Sequence, residues 1–404
     1  MRVLYLSHRY QDTKTGGLAE FLHYLPLALQ SWGVIPFLYT QSAHHSLTTL
    51  QEPELLPNRM LHYSGPFLKP SILPSKKALH CVIRLCRAQN IELIHAQGTY
   101  RAGYLAMRVA RKIDIPYLVT SHSDILPTNS KRIKRYSTRT RCQKVLKQAT
   151  HVTHLTPFMA KTSHSLHDTQ HKSTIIGNGI DYAAWQPYIH TEEQDYMLAI
   201  GRLEPEKGFN VLIESFAQLN KLGCTSSLVI AGTGSMDQAL RNQVHALGLT
   251  LVDQWNPSSM LPARSVVFTN YVRHDIKIRL FAAAKCILFA PQPHIWEEPF
   301  GIVQLEAMAA GKILIASSTA ATRCLQSQGV KNILVEANNR LAWKNAMQQV
   351  LENENDRKIN GKINREKSKF YDWKHIAQNY MRVYEQIVKS TSRNEAFLSQ
   401  KCMQ

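Results

Sequence analysis

Two acidic residues, Glu298 and Glu306, flank a segment whose composition predicts the start of a helix. Good helix formers lie between Gly301 and Gly311, so we expect Glu298 on a loop and Glu306 about one and a half turns inside the helix. A helix N-terminus has unpaired N–H groups and an electropositive dipole end, which suit a phosphate. Carboxylates accept hydrogen bonds from sugar hydroxyls. The spacing predicts a nucleotide-sugar site, and an ordinary acidic helix start is the alternative.

Two cations, Arg202 and Lys207, follow an apolar run at 196–200 that is typical of a strand. Gly201 and Gly208 bound the loop that carries them. Cations at the C-terminal end of a strand can hold a diphosphate and neutralise the charge on a leaving group. The alternative is a pair of exposed cations in a glycine-bounded turn.

Adjacent glycines, Gly16 and Gly17, follow a strand-like segment at 2–7 and precede helical apolar spacing at 18–30. Because glycine lets a backbone approach a ligand closely, this order of elements suits phosphate binding. A similar glycine turn begins at Gly232, after another strand-like segment. Either turn is weak evidence when taken alone.

One histidine, His122, stands at the C-terminal end of the strand-like segment 115–122. Ligands of open parallel sheets bind beyond the carboxyl ends of strands, so we expect His122 at the binding cleft. A surface histidine among the 18 in the chain is the alternative.

The elements that must position these residues alternate between strand and helix in both halves of the 404-residue chain. This alternation predicts an α/β protein with parallel sheets, and the length favours two domains. Residues 41–74 are rich in Ser, Pro and His and are predicted to form long loops. The predicted boundaries are 1–178 for a first domain, 179–369 for a second, 370–390 for a last helix and 391–404 for a polar tail.

Composition excludes several classes of protein. Hydrophobic residues make up 44% of the chain, but no run of eighteen apolar residues predicts a spanning helix, and the N-terminus does not fit a signal peptide. The seven cysteines are odd in number, scattered and without a C-x2-C pair, so neither a zinc site nor a disulfide framework is predicted. We therefore expect a reducing, cytoplasmic location.

The formal charge of +19 is concentrated in the first half of the chain. Residues 128–150 contain eight basic residues and no acidic residue, and seven of the basic residues lie between 131 and 144. Each basic residue near the surface of an anionic membrane contributes about 1 kcal/mol to the free energy of binding. We predict such a contact for residues 131–147, with a solvated helix face as the alternative. Nucleic acid is not the predicted partner, because the segment lacks interleaved aromatic residues.

The segment 296–309 resembles the E-x7-E region of the family-4 glycosyltransferases, since Glu-Pro-Phe-Gly begins at Glu298 and Leu-Glu-Ala-Met-Ala contains Glu306. The loop 201–208 is similar to the family's GRL-xxx-KG element, and 177–181 to its interdomain hinge. The resemblance covers nearly the whole chain. It implies a GT-B fold, in which two Rossmann-like domains face each other across a cleft and a C-terminal helix crosses back to the first domain.

The resemblance also implies a reaction, namely retaining transfer of a sugar from a nucleotide diphosphate sugar to an acceptor hydroxyl. Catalytic roles are implied for His122, Glu298, Arg202 and Lys207. Glu306 would accept a hydrogen bond from the ribose and Glu298 from the donor sugar. The implied donor-binding residues are Gly16, Gly17, Arg202, Lys207, Gly232, Glu298, Phe300, Gly301, Ile302, Val303 and Glu306.

The implied setting is bacterial-type synthesis of a cell-surface glycan or glycolipid such as lipopolysaccharide, at the inner face of a membrane. The acceptor would be a glycan or a lipid-linked molecule. The chain contains no Asp-x-Asp sequence, so we expect no metal and no cofactor besides the nucleotide-sugar co-substrate.

Two departures from the family pattern replace glycines, and the first concerns the loop that usually faces the donor sugar. Residues 318–323 replace a loop that usually carries two glycines, and Ala resists positive φ. Asn270 and its neighbours stand where the family usually has a glycine. Three alternatives therefore stay open: a sugar-nucleotide epimerase or hydrolase, a non-catalytic nucleotide-sugar-binding protein, and a nucleic-acid binder that uses the basic half.

Overall fold

The computed structural model describes residues 1–8, 10, 16–41, 50–67, 76–253, 255 and 261–401, with the side chains of 391–401 left out. The chain divides into two compact units. Unit 1 comprises Met1–Gly179 and Trp373–Gln404, and unit 2 comprises Ile180–Asp372.

Unit 1 is built on an eight-stranded sheet with helices on both faces. Its strands are β1 (Arg2–Leu6), β2 (Ile35–Gln41), β3 (Glu54–Leu55), β4 (Leu61–Gly65), β5 (Leu93–Gln97), β6 (Tyr117–Ser121), β7 (His151–His154) and β8 (Ser173–Ile175). Its helices before the boundary are α1 (Gly17–Gln30), α2 (Lys76–Ala88), α3 (Arg101–Ile113), α4 (Tyr136–Gln148) and α5 (Pro157–Leu166). The strand order is β3-β4-β2-β1-β5-β6-β7-β8, and all pairs are parallel except β3 with β4.

Unit 2 is built on a seven-stranded, fully parallel sheet. Its elements in chain order are α6 (Tyr182–Trp185), β9 (Tyr196–Ile200), α7 (Phe209–Lys221), β10 (Ser227–Ala231), α8 (Asp237–Ala246), β11 (Thr250–Asp253), β12 (Ser265–Phe268), α9 (His274–Ala283), β13 (Cys286–Phe289), α10 (Ile302–Ala309), β14 (Leu314–Ser317), α11 (Ala320–Ser327), β15 (Asn332–Val335), α12 (Arg340–Glu352) and α13 (Glu354–Ser368). The strand order is β11-β12-β10-β9-β13-β14-β15.

The strands form because their residues are apolar on both faces, as parallel strands covered by helices require. All four residues of β13 and all but the last residue of β9 are buried. In each sheet the order reverses beside the first strand, between β1 and β5 in unit 1 and between β9 and β13 in unit 2. Ligands of such sheets bind at this reversal, outside the carboxyl ends of the strands.

The last helix, α14 (Trp373–Lys401), returns to unit 1 and packs on α1. Its buried Tyr384 Oη lies 2.7 Å from His95 Nδ1, and the other ring nitrogen of His95 lies 2.6 Å from Thr120 Oγ1. These bonds satisfy a histidine that the sheet buries completely, so they attach the helix to β5 and β6. Burial holds the pKa of His95 well below its usual range.

The structure corrects several predictions. Part of 41–74 is not loop, because β3 and β4 extend the sheet there; residues 42–49 and 68–75 lie outside the described part. The last helix was predicted to end at 390, but α14 continues to Lys401. The short strand β11 was not predicted.

The six cysteines in the described part of the chain are free thiols. None of the described helices combines the length and apolar character that a membrane span requires.

Candidate active site

The loops after β9 and β13 meet in unit 2, since these parallel strands are neighbours at the point where the strand order reverses. The Gln292 N–H donates to the Glu206 carbonyl at 2.8 Å and joins the two loops. The loops therefore bring together side chains that are about ninety residues apart in the chain.

The central contact is an ion pair between Lys207 and Glu298. The Lys207 Nζ lies 2.7 Å from Glu298 Oε2, with 20% and 12% of the two side chains exposed. The loop after β9 carries the cation and the loop after β13 carries the acid, and the sequence had placed both residues on loops. Since both groups are largely shielded from water, each needs a charged partner when no ligand is bound.

Two glycines allow the backbone at this site to pack closely. Gly208 has φ +68°, and a Cβ there would lie 2.2 Å from the Ala290 carbonyl oxygen. A Cβ on Gly232 would lie 1.8 Å from the Gly201 carbonyl oxygen. Neither distance is possible for a real side chain, so both positions require glycine. Gly232 thereby positions the loop that carries Arg202 and Lys207.

The helix α10 begins at the predicted place. Gly301 is its N-cap with φ +80°, and a Cβ there would lie 2.8 Å from the Phe289 ring. Ile302 and Val303 are partly exposed at the helix start, whereas Phe300 is buried. The first N–H groups of α10 have no preceding helical turn to bind, so this end can accept an anion.

A cation that the sequence did not predict, Lys277 of α9, forms an ion pair with Glu306. Only 5% of the Glu306 side chain and 17% of the Lys277 side chain are exposed. No local pattern links two residues in different helices, so only the packing of α9 beside α10 shows this pair. The helix α9 also contains His274, Asp275 and Arg279, so a lysine there gave no distinct signal.

Arg202 differs from Lys207 in its surroundings. Its side chain is 63% exposed, and its Nη2 lies 2.9 Å from Glu206 Oε1, four residues further along the same loop. The arginine is therefore held within its own loop. It does not appear among the ion pairs that the described residues form with Glu298 or Glu306.

The altered segment 318–323 forms the start of α11, which the sequence did not predict. Thr319 is the N-cap, and its Oγ1 accepts a hydrogen bond from the Thr322 N–H at 3.2 Å. None of residues 318–323 has positive φ, so the two alanines carry no backbone strain. Asn270, by contrast, has φ +57° and lies in the left-handed region, which glycine adopts without strain.

The remaining predicted residues lie in unit 1. Gly16 is the N-cap of α1 with φ +102°, and Gly17 is the first residue of that helix, while residues 11–15 before them are outside the described part. His122 follows β6, and its Nε2 lies 2.9 Å from Gln97 Oε1. Burial, with a smaller contribution from His8, lowers the pKa of His122 to about 4, so the ring is neutral at pH 7.

In the described part of the chain, no three His, Cys, Asp or Glu side chains form a cluster that could hold a metal ion. The predicted independence from metal stays a prediction.

Two family models together match most of the chain. Glycosyltransferase Family 4 matches residues 15–184, and Glycosyl transferases group 1 matches residues 186–367. The chain belongs to the family-4 glycosyltransferases.

Relatives of this glycosyltransferase carry compatible names. An uncharacterised glycosyltransferase of Methanocaldococcus jannaschii, MJ1607, is 25% identical over 74% of the chain and 70% of its own length. The phosphatidyl-myo-inositol mannosyltransferase of Mycobacterium leprae is 30% identical over 49% of the chain and 48% of its own length.

Solved structures establish the fold of this glycosyltransferase. Sucrose-phosphate synthase from Thermosynechococcus elongatus matches with a TM-score of 0.74 and 17% identity, over 96% of this chain and 99% of the other. Anabaena HepE in complex with UDP matches with a TM-score of 0.71 and 17% identity, over 96% and 100%. The fold is GT-B, as the sequence predicted.

Proposed function

We propose that this glycosyltransferase moves a sugar, with retention at the anomeric carbon, from a nucleotide diphosphate sugar to an acceptor hydroxyl. The observation that carries the proposal is the Lys207–Glu298 ion pair beside the N-terminus of α10. A shielded cation, a carboxylate and the free N–H groups of a helix start therefore lie at one end of the same sheet.

Each group has a role in this reaction. Lys207, Arg202 and the first N–H groups of α10 would stabilise negative charge on the departing diphosphate. Glu298 would accept hydrogen bonds from the donor sugar, and Glu306 from the ribose. The predicted contributions of Gly16, Gly17 and His122 stay predictions, because those residues lie in unit 1.

The proposals for the nucleotide base of the donor and for the acceptor have weaker support. HepE, which has the same fold, is described with UDP, so a UDP-sugar is the first donor to test. The name of the mycobacterial relative includes a phosphatidyl-inositol, which supports a lipid-linked acceptor, with a glycan as the alternative. We place the reaction in cell-surface glycan or glycolipid synthesis at the inner face of a membrane. The predicted membrane contact of residues 131–147 is a separate proposal, independent of the chemistry of transfer.

The test begins with thermal shifts of the protein in a panel of UDP-, GDP- and ADP-sugars. A donor at 100 times its dissociation constant should stabilise the protein by about 2.7 kcal/mol. Lys207→Ala should weaken binding of that donor about tenfold to hundredfold, because a charge-assisted contact contributes about 1.5–3 kcal/mol. Lys221→Ala is the matched control, since Lys221 is an exposed residue at the end of α7.

Product analysis then decides between reactions. Transfer to an acceptor with the anomeric configuration of the donor, read by NMR, supports the proposal. Release of free sugar and free nucleotide at the same rate with and without acceptors would identify a hydrolase. Binding of no nucleotide sugar, or equal binding by Lys207→Ala and Lys221→Ala, would refute the assigned site.

A further inference from the structure

The helices α2, α3, α4 and α5 of unit 1, together with the short helix Lys131–Lys134 before α4, contain many lysines and arginines. Within these described spans there is no aspartate and no glutamate. We call these segments the basic layer. It is wider than the segment 131–147 that the sequence pointed to, and it includes helices that are far apart in the chain.

The segments of the basic layer lie on one face of the sheet. The connections from β4 to β5, β5 to β6, β6 to β7 and β7 to β8 all run in the same direction across it. Because parallel crossovers are right-handed, their helices share a face. The apolar sides of α2, α3 and α4 pack into one core cluster, whereas α1 and α14 pack into another. Neighbouring helices lie about 8–10 Å apart, so the layer is roughly 25 Å wide.

Six cations of the layer are exposed and form none of the ion pairs of the described residues. Lys76, Arg111, Lys131, Lys134, Arg135 and Arg139 are all exposed. Among the ion pairs of the described residues, none involves any of these six side chains. A broad surface of one sign repels itself and attracts counter-ions, so it is suited to an extended anionic partner.

Exposed aromatic residues distinguish between anionic partners. Tyr136, at the first position of α4, is 85% exposed and lies directly after Arg135. Phe158, near the start of α5, is 38% exposed. Rings beside cations are the composition that lies at the headgroup level of a bilayer. A nucleic-acid platform instead stacks successive bases on several aromatic rings in a groove. We propose that the basic layer docks unit 1 onto an anionic lipid bilayer.

The experiment measures binding of the full chain to two kinds of vesicle, one of phosphatidylcholine and one of phosphatidylcholine mixed equally with phosphatidylglycerol. Binding should require the anionic lipid and weaken as salt is raised. Each basic residue near the surface contributes about fivefold, the equivalent of about 1 kcal/mol. The triple variant Lys131→Gln, Lys134→Gln and Arg139→Gln should therefore bind roughly a hundredfold more weakly.

The matched control removes the same charge from the other face of unit 1. Its substitutions are in α14, namely Lys374→Gln, Arg382→Gln and Lys389→Gln, and all three residues are exposed. This control should bind anionic vesicles within about threefold of the unaltered protein, because the contribution of a distant charge is screened. Tyr136→Ser, which keeps every cation, should weaken the binding that survives at high salt.

Three outcomes would overturn the docking proposal. The first is equal binding to both vesicle types, and the second is equal loss by the two triple variants. The third is salt-steep binding to duplex DNA with no binding to vesicles, which would assign the basic layer to nucleic acid. Circular dichroism of each variant shows whether it is folded. Vesicle binding needs no donor, so its failure leaves the proposed sugar transfer intact.

Discussion

The close approach of two loops at Gly208 leads to the sharpest prediction. A Cβ at this residue would lie 2.2 Å from Ala290 O and 2.4 Å from Gln292 Nε2, and φ is +68°. Gly248, also in unit 2, has the same φ of +68° but nothing within 4 Å of a built Cβ. The pair Gly208→Ala and Gly248→Ala therefore separates the cost of the clash from the cost of the backbone conformation.

Gly208→Ala carries both costs, whereas Gly248→Ala carries only the backbone cost. Alanine in the left-handed region costs about 1–2 kcal/mol at either position. At Gly208 the added methyl group also overpacks the site, which costs about 1–3 kcal/mol more. Each kcal/mol lowers the Tm of a unit of this size by about 2–4 °C, so Gly208→Ala should melt clearly below Gly248→Ala. Differential scanning calorimetry of the two variants measures the difference.

The same clash has a functional consequence. Relief requires Ala290 to move, and Ala290 begins the loop that carries Glu298. Gly208→Ala should therefore weaken donor binding as well as stability, whereas Gly248→Ala should affect stability alone. Equal Tm values and equal donor affinities for the two variants would show that the loops are not packed as described.

Two further predictions concern buried titratable groups. Lys277→Met leaves the Glu306 carboxylate without its cation and should destabilise unit 2 by about 3–5 kcal/mol, whereas the double variant with Glu306→Gln should regain part of this loss in urea unfolding. Burial, followed by His164 and His151, lowers the pKa of His154 to about 3, so the folded ring is neutral while the unfolded chain takes up a proton below about pH 6.5. The contribution of the neutral His154 ring to the free energy of unfolding should be fully present above pH 6.5, and this free energy should be lower by about 2 kcal/mol at pH 5. Urea titrations of His154→Leu should show a smaller loss between the two pH values.

The alternation of strands and helices was predictable because parallel strands buried on both faces are continuous apolar runs. The strands β9 and β13 are of this kind, and the glycines after them mark the loops of the site. The strand β4 lacks that signal, since Leu61–Gly65 includes a His, a Ser and a Gly. Its pairing with β2 depends on a neighbour that is remote in the chain, so local composition predicted a loop.

The start of α11 was not predicted, because residues 318–323 were compared with a glycine-containing loop of the family. Thr319 and Thr322 form a reciprocal cap, in which each hydroxyl binds the other residue's backbone N–H. A hydroxyl residue three positions before another is a weaker form of the Ser/Thr-x-x-Glu signal that predicts helix starts. Asn270 could have been interpreted directly, because asparagine is enriched in the left-handed region.

Spacing alone treats Arg202 and Lys207 as equivalent cations five residues apart, and the structure separates them. Lys207 is mostly buried against Glu298, whereas Arg202 is mostly exposed beside Glu206. Salt screens an exposed pair strongly and a shielded pair weakly, so in the proposed donor site we expect the two cations to contribute unequally to binding a diphosphate. The difference arises because only Lys207 reaches across to the neighbouring loop. Lys207 is therefore shielded because β9 and β13 are neighbours in the sheet, and not because of the motif in either loop.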